Sequence, residues 1–468
     1  MTETYDLIVL GSGPAGEKGA AQAAYFGKRV AIVEKASVLG GAAANTGTLP
    51  SKTLRESALH LTGFRHRGLF GLDVHLNEKV SARDFLYRAG HVTEKERERI
   101  ARNIERHGID LYKGTASFVD AHTVSIAGGD AAASVIEGGV IMIATGSHPF
   151  RPPNLPFDDP RVYDSDTILT IDDMPGTLVV AGGGVIGCEY ACMFAALDVK
   201  VSLIEGRDRL IGFMDRQISE SLAQSMAELC IALHLGDTIE AVDCEGPLTM
   251  RLASSREIEA DALLAATGRS GNTANLGLEG IGVELGSRGT ITVNEKYQTA
   301  LPHIYAVGDV IGFPALASTS MEQARIAMVH AFDLKYKTEL PLILPYGIYT
   351  IPECSMAGET EDSLKDKGVD YVAGIANYSE NARGQIIGDE TGFLKLLFET
   401  EEMKLVGVHV IGEQASELIH VGLTALLTGA TADLFIQTCY NYPTLSEVYK
   451  YATYAALGAR QRAIEERG

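Results

Sequence analysis

The stretch Leu7-Ile8-Val9-Leu10-Gly11-Ser12-Gly13-Pro14-Ala15-Gly16 decides how this chain is read. Four apolar residues running into GxGxxG, with an alanine-rich segment behind them, predict a buried strand, a tight turn and a helix. In such a turn the first glycine permits the reversal and the second lets a pyrophosphate approach the backbone. The third lets the helix close on the strand, and the helix N-terminus offers its free N–H groups to the phosphates. A second apolar run, Val30-Ala31-Ile32-Val33, ends in Glu34, an acid placed to accept hydrogen bonds from a ribose.

One such motif is weak evidence for a nucleotide site, but the chain contains two. Leu178-Val179-Val180-Ala181 runs into Gly182-Gly183-Gly184-Val185-Ile186-Gly187, and a strand from Val199 ends in Glu205. First glycine and terminal acid are 23 residues apart in both copies. Each copy is closed by an apolar strand entering a glycine, at Val140–Gly146 and Ala262–Gly268. Chance turns would have to reproduce spacing and context twice, so the expectation is an α/β protein with two Rossmann-like dinucleotide-binding units. Glu34 and Glu205 both favour an unphosphorylated ribose. Arg207 and Arg209, just beyond Glu205, either pair with a 2′-phosphate or stand as solvated surface charges, which leaves NAD against NADP open.

The rest of the chain narrows the classes. A length of 468 residues exceeds one core and suggests about three domains at ~150 residues each. After Tyr305-Ala306-Val307-Gly308-Asp309, the region from Pro345 alternates β-branched runs with helical stretches and reads as a separate α+β domain, ending in a charged, fraying helix from Ala456. The net charge of −21 repels nucleic-acid backbones and anionic lipid, so neither is an expected partner. No apolar run approaches the ~20 residues of a membrane span. Met1–Asp6 lacks a basic region and Leu7–Leu10 is too short for a signal peptide, so the expected compartment is the cytoplasm. Six cysteines without a CxxC or CxxxxC pair exclude a disulfide framework and a Cys-built zinc site. Cys188 and Cys192 read as packed small side chains, His409 and His420 as structural or interface residues, and no metal is expected.

Taken together, seven ordered segments form a recognisable pattern: GSGPAG at Gly11–Gly16, Gly40-Gly41 through Pro50-Ser51-Lys52, ATGS at Ala144–Ser147, GGGVIGCE at Gly182–Glu189, ATGR at Ala266–Arg269, YAVGD at Tyr305–Asp309, and Pro443–Glu447. Over nearly its full length the chain resembles the flavin-dependent pyridine nucleotide–disulfide oxidoreductases, the family of dihydrolipoamide dehydrogenase and glutathione reductase. The resemblance implies an FAD domain in two pieces, 1–150 and 275–344, an NAD(P) domain over 151–274, and a C-terminal α+β dimerisation domain over 345–468. A homodimer follows, with further assembly open. On the flavin side it implies contacts from Gly11, Gly13, Gly16, Glu34, Gly41, Thr48, Lys52, Gly146, Asp309 and Ala317. For NAD(H) or NADP(H) it implies Gly182, Gly184, Val185, Gly187, Glu205, Arg207 and Gly268.

The departures from the family pattern bear on function. Members carry two cysteines five residues apart before Pro-Ser-Lys; here Ala43 and Thr48 occupy those positions, and neither holds electrons or attacks a disulfide. The His–Glu pair near the C-terminus becomes Tyr442 with Glu447. Lys52 and Glu189, which the resemblance pairs beside the flavin N5, remain. Asp309 would reach the ribityl chain, and the helix starting at Ala317 would point N–H groups at the flavin pyrimidine. Gly47-Thr48 with Pro50–Arg55, and Asn441–Thr444, look most like the soluble, flavin-containing NAD(P) transhydrogenases, although those commonly keep the first cysteine, from which Ala43 departs. The implied activity is hydride exchange between NADPH/NADP⁺ and NADH/NAD⁺ by a ping-pong mechanism at one flavin site. An NAD(P)H:quinone or dye reductase is the alternative, for which the small Ala42-Ala43-Ala44 leaves room. A non-catalytic sensor of nucleotide redox state is the third, and retention of Lys52 and Glu189 argues against it.

Overall fold

The computed structural model describes residues 2–63, 80–128, 134–335 and 343–467. The strand Glu3–Leu10 lies between two parallel neighbours, Val30–Glu34 and Ser134–Ile143. Leu7 through Leu10 are buried on both faces of the sheet, which is why the run is continuously apolar rather than alternating. Each such aliphatic side chain contributes about 2 kcal/mol on burial, so the segment anchors its sheet. Asp110–Lys113 extends the sheet past Val30–Glu34, Ile304–Ala306 pairs in parallel with Ser134–Ile143, and the antiparallel strands Thr115–Phe118 and Thr123–Ala127 bring it to seven strands among the described residues. The chain therefore leaves this sheet and returns to it at Ile304.

A second, all-parallel sheet has five strands among the described residues, in the order Ala232–Leu235, Lys200–Glu205, Thr177–Ala181, Ala262–Ala265, Val162–Asp164. The two sheets repeat one local arrangement. Leu10 pairs with Val33 on one side and Ile143 on the other; Ala181 pairs with Ile204 and Ala265 in the same way. The residue before each glycine turn thus stands between the strand carrying the acid and the strand that closes the unit. This is the α/β architecture expected from the repeated motif.

The C-terminal region builds an antiparallel sheet ordered Tyr346–Ile348, Cys354–Gly358, Leu405–Ile411, Phe393–Glu399, Tyr371–Asn377. Phe435 and Tyr449 stack beneath it with ring centroids 5.3 Å apart. The last helix is Val448–Arg467, and beyond Ala456 none of its described side chains is buried. Its first half is docked, with Ala452 and Ala456 fully buried against the strand Tyr371–Asn377. Gly374 allows that approach, because a Cβ there would drive into the Ala452 carbonyl oxygen. Among the described residues no helix is long and apolar enough to cross a membrane.

Two ion-pair contacts fix the second nucleotide unit to this C-terminal region. The fully buried Lys395 Nζ lies 2.8 Å from Asp215 Oδ1 and also meets Glu361. Arg209 pairs with Asp362 at 3.1 Å. A buried ammonium left unpaired would cost several kcal/mol, so Asp215 and Glu361 together hold the two regions in one relative position. His409 is buried beside them, its Nε2 2.9 Å from the Glu359 carbonyl oxygen. Burial pushes its pKa down to about 4, with Lys395 adding to the shift and Asp215 opposing it, so the ring is neutral at pH 7.

Candidate active site where two dinucleotide turns meet

The two turns repeat each other in their steric detail. Gly11 and Gly182 have φ of +103° and +113°, a region that disfavours any side chain, and both press against the closing strand's end at Ala144 and Ala266. A Cβ on Gly16 would run into the Gly11 carbonyl, and one on Gly187 into that of Gly182. The middle glycines differ from these. A Cβ on Gly184 would meet nothing within 4 Å, and one on Gly13 only the Gly41 Cα at 3.8 Å. First and third glycines are required by the protein itself, whereas the middle ones leave space open. The helices that follow, Pro14–Tyr25 and Val185–Ala196, carry no side-chain cap, so their leading N–H groups are free to receive an anion.

The acids that end the two second strands are both buried and held by different donors. Glu34 accepts from Ser12 N at 2.8 Å, Ser12 Oγ at 2.7 Å and Ala36 N at 2.8 Å. Glu205 accepts from Gly183 N at 2.7 Å, Arg207 N at 2.9 Å and Arg207 Nε at 2.9 Å. Burial would raise the Glu205 pKa, but these hydrogen bonds outweigh it and hold the carboxyl below its ordinary range. Arg207 is thus neither an isolated surface charge nor an empty phosphate receptor. Its side chain, 60% exposed, lies over Glu205, while Arg209 is turned away to Asp362. Glu205, Arg207, Gly182, Gly184, Val185 and Gly268 share a cavity of about 540 Å³, a size suited to a nucleotide-sized ligand.

Lys52 and Glu189 join the two units. Lys52 lies on the helix Thr48–Leu61 and Glu189 on Val185–Ala196, with Nζ 2.9 and 2.7 Å from the two carboxylate oxygens. Glu189 also accepts from Tyr349 N at 2.9 Å, and the ammonium lies 4.9 Å from the centre of the Tyr349 ring. One turn along the same helix, the buried Arg55 donates to the Thr350 carbonyl at 2.9 Å and pairs with Glu353 at 3.1 Å. Tyr349 and Glu353 were not singled out in the sequence, and Arg55 was quoted there only as the end of a motif, without this role. Arg55 stands three residues from Lys52, on the same helical face, and that spacing was the available signal.

The other expected residues have the following local settings. Asp309 follows the strand Ile304–Ala306 and accepts from Ser147 Oγ at 2.8 Å, which in turn accepts from Arg269 Nε at 2.7 Å. Ala317 opens the helix Ala317–Ala331, which has no side-chain N-cap. Gly146 has φ of +71° with open space where a Cβ would be, and Gly41 meets the Gly13 Cα. Ala43 lies in the short helix Gly41–Asn45, and Thr48 begins the helix that carries Lys52. Tyr442 and Glu447 are not brought to the pair. Tyr442 is 75% exposed, and neither side chain bonds to Lys52 or Glu189. Cys188, Cys192 and Cys354 are buried elsewhere, and burial pushes the last two thiols up to about 12, where they are unreactive at neutral pH. Phe213, Phe313 and Tyr346, from three separate regions, meet in an exposed aromatic group that no motif marked.

Two dinucleotide turns bridged by a lysine–glutamate pair define an oxidoreductase built around two nucleotides. The chain belongs to the pyridine nucleotide-disulphide oxidoreductase family, whose sequence profile matches residues 5–330, with the family's dimerisation domain matching residues 344–453. It is similar to a soluble pyridine nucleotide transhydrogenase of Mycobacterium tuberculosis (strain ATCC 25177 / H37Ra), 43% identical over 466 residues that cover 99% of each chain. A protein of the same description from Marinomonas sp. (strain MWYL1) is 41% identical, covering 96% of this chain and 98% of its own. Among solved structures, LpdA of Mycobacterium tuberculosis superposes with a TM-score of 0.89 at 26% identity, over 97% of this chain and 99% of that one. The HOCl-induced flavoprotein disulfide reductase RclA of Escherichia coli superposes at 0.87 and 26% identity, over 96% and 99%.

Proposed function

We infer that this chain is an FAD-dependent oxidoreductase that exchanges hydride between NADPH/NADP⁺ and NADH/NAD⁺ without a dithiol. One observation carries the reading: Lys52 and Glu189 are paired across the two units, while Ala43 and Thr48 stand in the neighbouring segment where a redox disulfide would form. Identity of 41–43% over nearly the whole length to proteins named soluble pyridine nucleotide transhydrogenase supports it.

The first turn suits FAD: Gly13 leaves space for a pyrophosphate, the helix behind it is uncapped, and Glu34 ends the next strand. Gly11, Gly16, Gly41, Thr48, Gly146, Asp309 and Ala317 complete the proposed contacts. When bound, FAD supplies a ring that takes up hydride from one nicotinamide nucleotide and gives it to another. Glu189 fixes the Lys52 ammonium, which presents positive charge where negative charge builds up on hydride arrival. Ser147 and Arg269 orient Asp309, and the uncapped helix at Ala317 adds its positive end. The 540 Å³ cavity takes the nicotinamide nucleotide through Gly182, Gly184, Val185, Glu205, Arg207 and Gly268, while Gly187 lets the helix close on the turn. Both nucleotides use this cavity in turn, so ping-pong kinetics with parallel double-reciprocal lines follow.

Domain assignment is part of the proposal: residues 1–150 with 275–344 for FAD, 151–274 for NAD(P), and 345–468 for pairing of two copies in the cytoplasm. Anaerobic rapid mixing with NADH and with NADPH, followed by an acceptor, tests the function. Both nucleotides bleach the flavin, and NAD⁺ restores its absorbance. Reoxidation by a quinone but not by NAD⁺ would select the reductase reading instead.

A further inference from the structure

Arg288 lies outside every motif, in the turn Ser287–Gly289, and holds a left-handed φ of +54°, a conformation uncommon for a residue with a long side chain. Its guanidinium lies 4.5 Å from the centre of the Phe150 ring. Nη1 rests against Gly268, where a Cβ would collide with it. Gly268 forms part of the wall of the 540 Å³ cavity, and Arg288 itself borders a second cavity of about 500 Å³. Several other arginines are paired: Arg151 with Asp164, Arg161 with Asp159, Arg207 with Glu205, Arg209 with Asp362 and Arg269 with Asp166. Arg288 forms no ion pair with any described carboxylate, in a chain of net charge −21.

We propose that Arg288 is the cation that clamps the pyrophosphate of the nicotinamide dinucleotide, resting on the reading that this cavity takes such nucleotides. Sheet order identifies the phosphate concerned. The strand leading to Gly268 and the strand ending in Glu205 flank Thr177–Ala181 on opposite sides. Glu205 and Arg207 line one side of the 540 Å³ cavity and Gly268 the other, and Arg288, which itself lines the neighbouring cavity, reaches this wall through its contact with Gly268. The group that lies between those sides is the pyrophosphate, common to NAD(H) and NADP(H). The stack on Phe150 keeps the guanidinium weakly held and ready to transfer to an anion.

The flavin-loaded full-length protein and Arg288→Gln test this with NADH, NADPH and ADP-ribose, which keeps the pyrophosphate but lacks nicotinamide. Losing one charge-assisted contact raises both KM values and the ADP-ribose inhibition constant together by about tenfold, with kcat falling by less than about threefold. Arg288→Lys recovers part of the loss. Arg288→Gly relieves the backbone strain as it removes the charge, and shows the same rise in KM with an undiminished melting temperature. Values within about twofold of wild type in Arg288→Gln and Arg288→Gly overturn the inference. A rise confined to NADPH overturns it too, by moving the contact to the 2′-phosphate. Wild-type protein that binds neither nucleotide nor ADP-ribose would overturn the proposed function along with it, whereas equal binding by wild type and variant overturns this inference alone.

Discussion

Glu34 and Glu205 end equivalent strands, 23 residues after equivalent glycines, and are held by different donors. Around Glu34 the donors are neutral and fixed: Ser12 through both N–H and hydroxyl, and Ala36 through its backbone. Around Glu205 one partner is a guanidinium on a largely exposed side chain. The turn residues account for the difference. Ser12 fits in the first unit, whereas a Cβ on Gly183 would crowd Leu210 and Glu205 itself, so no hydroxyl can stand there. A rigid, neutral shell suits a nucleotide that stays bound. An acid that shares its charge with a largely exposed arginine suits a site that must accept a 2′-hydroxyl on one visit and a 2′-phosphate on the next.

The largest effect expected from breaking the comparison is steric. Gly16→Ala and Gly187→Ala put a Cβ into a carbonyl oxygen in each unit and should destabilise by about 4 kcal/mol or more, seen in thermal melts. Gly184→Ala meets nothing in the protein, so it should melt like wild type while nucleotide KM rises about tenfold or more; unchanged KM would remove the pyrophosphate from that turn. Next, Lys52→Met should retain flavin but lower the rate of hydride transfer about a hundredfold, read by single-turnover absorbance.

Smaller effects separate the two acids. Arg207→Gln should raise KM for NADPH about tenfold and leave NADH within about twofold, while Glu205→Gln raises KM for NADH and lowers that for NADPH. The smallest effect distinguishes the units by pH. His409, beside the contacts that dock the second unit alone, has a folded pKa of about 4 against ~6.5 unfolded. Between those values the unfolded chain binds more protons, so stability falls as pH drops from 6.5 toward 4, by up to ~1.4 kcal/mol per pH unit. His409→Asn should flatten the urea midpoint between pH 7 and pH 5; an unchanged slope would place the titration elsewhere.

Both units were legible because a buried parallel strand, a glycine turn and an acid are each dictated locally. Lys52 and Glu189 were legible through the resemblance to the family, and the structure supplies the distance between them. What could not be read was which partner a long side chain selects. Arg207 sits two residues from its partner Glu205, yet nothing in that spacing separates an ion pair from a solvated charge. Tyr349 and Glu353 reach the site from nearly 300 residues along the chain, through the docking of the C-terminal sheet. The docking of the last helix could not be read from charge or periodicity, because the contact rests on Ala452, Ala456 and the absent side chain of Gly374.

Hydride exchange without a dithiol is tested most directly by mixing NADPH with thio-NAD⁺ over the purified, flavin-loaded protein, before and after alkylation with N-ethylmaleimide. Only Cys230 and Cys439 are exposed, and no cysteine lies at positions 43 or 48. Steady formation of thio-NADH at the same rate in both samples, with parallel double-reciprocal lines, is the predicted result. No transfer, or transfer abolished by alkylation, would contradict the account.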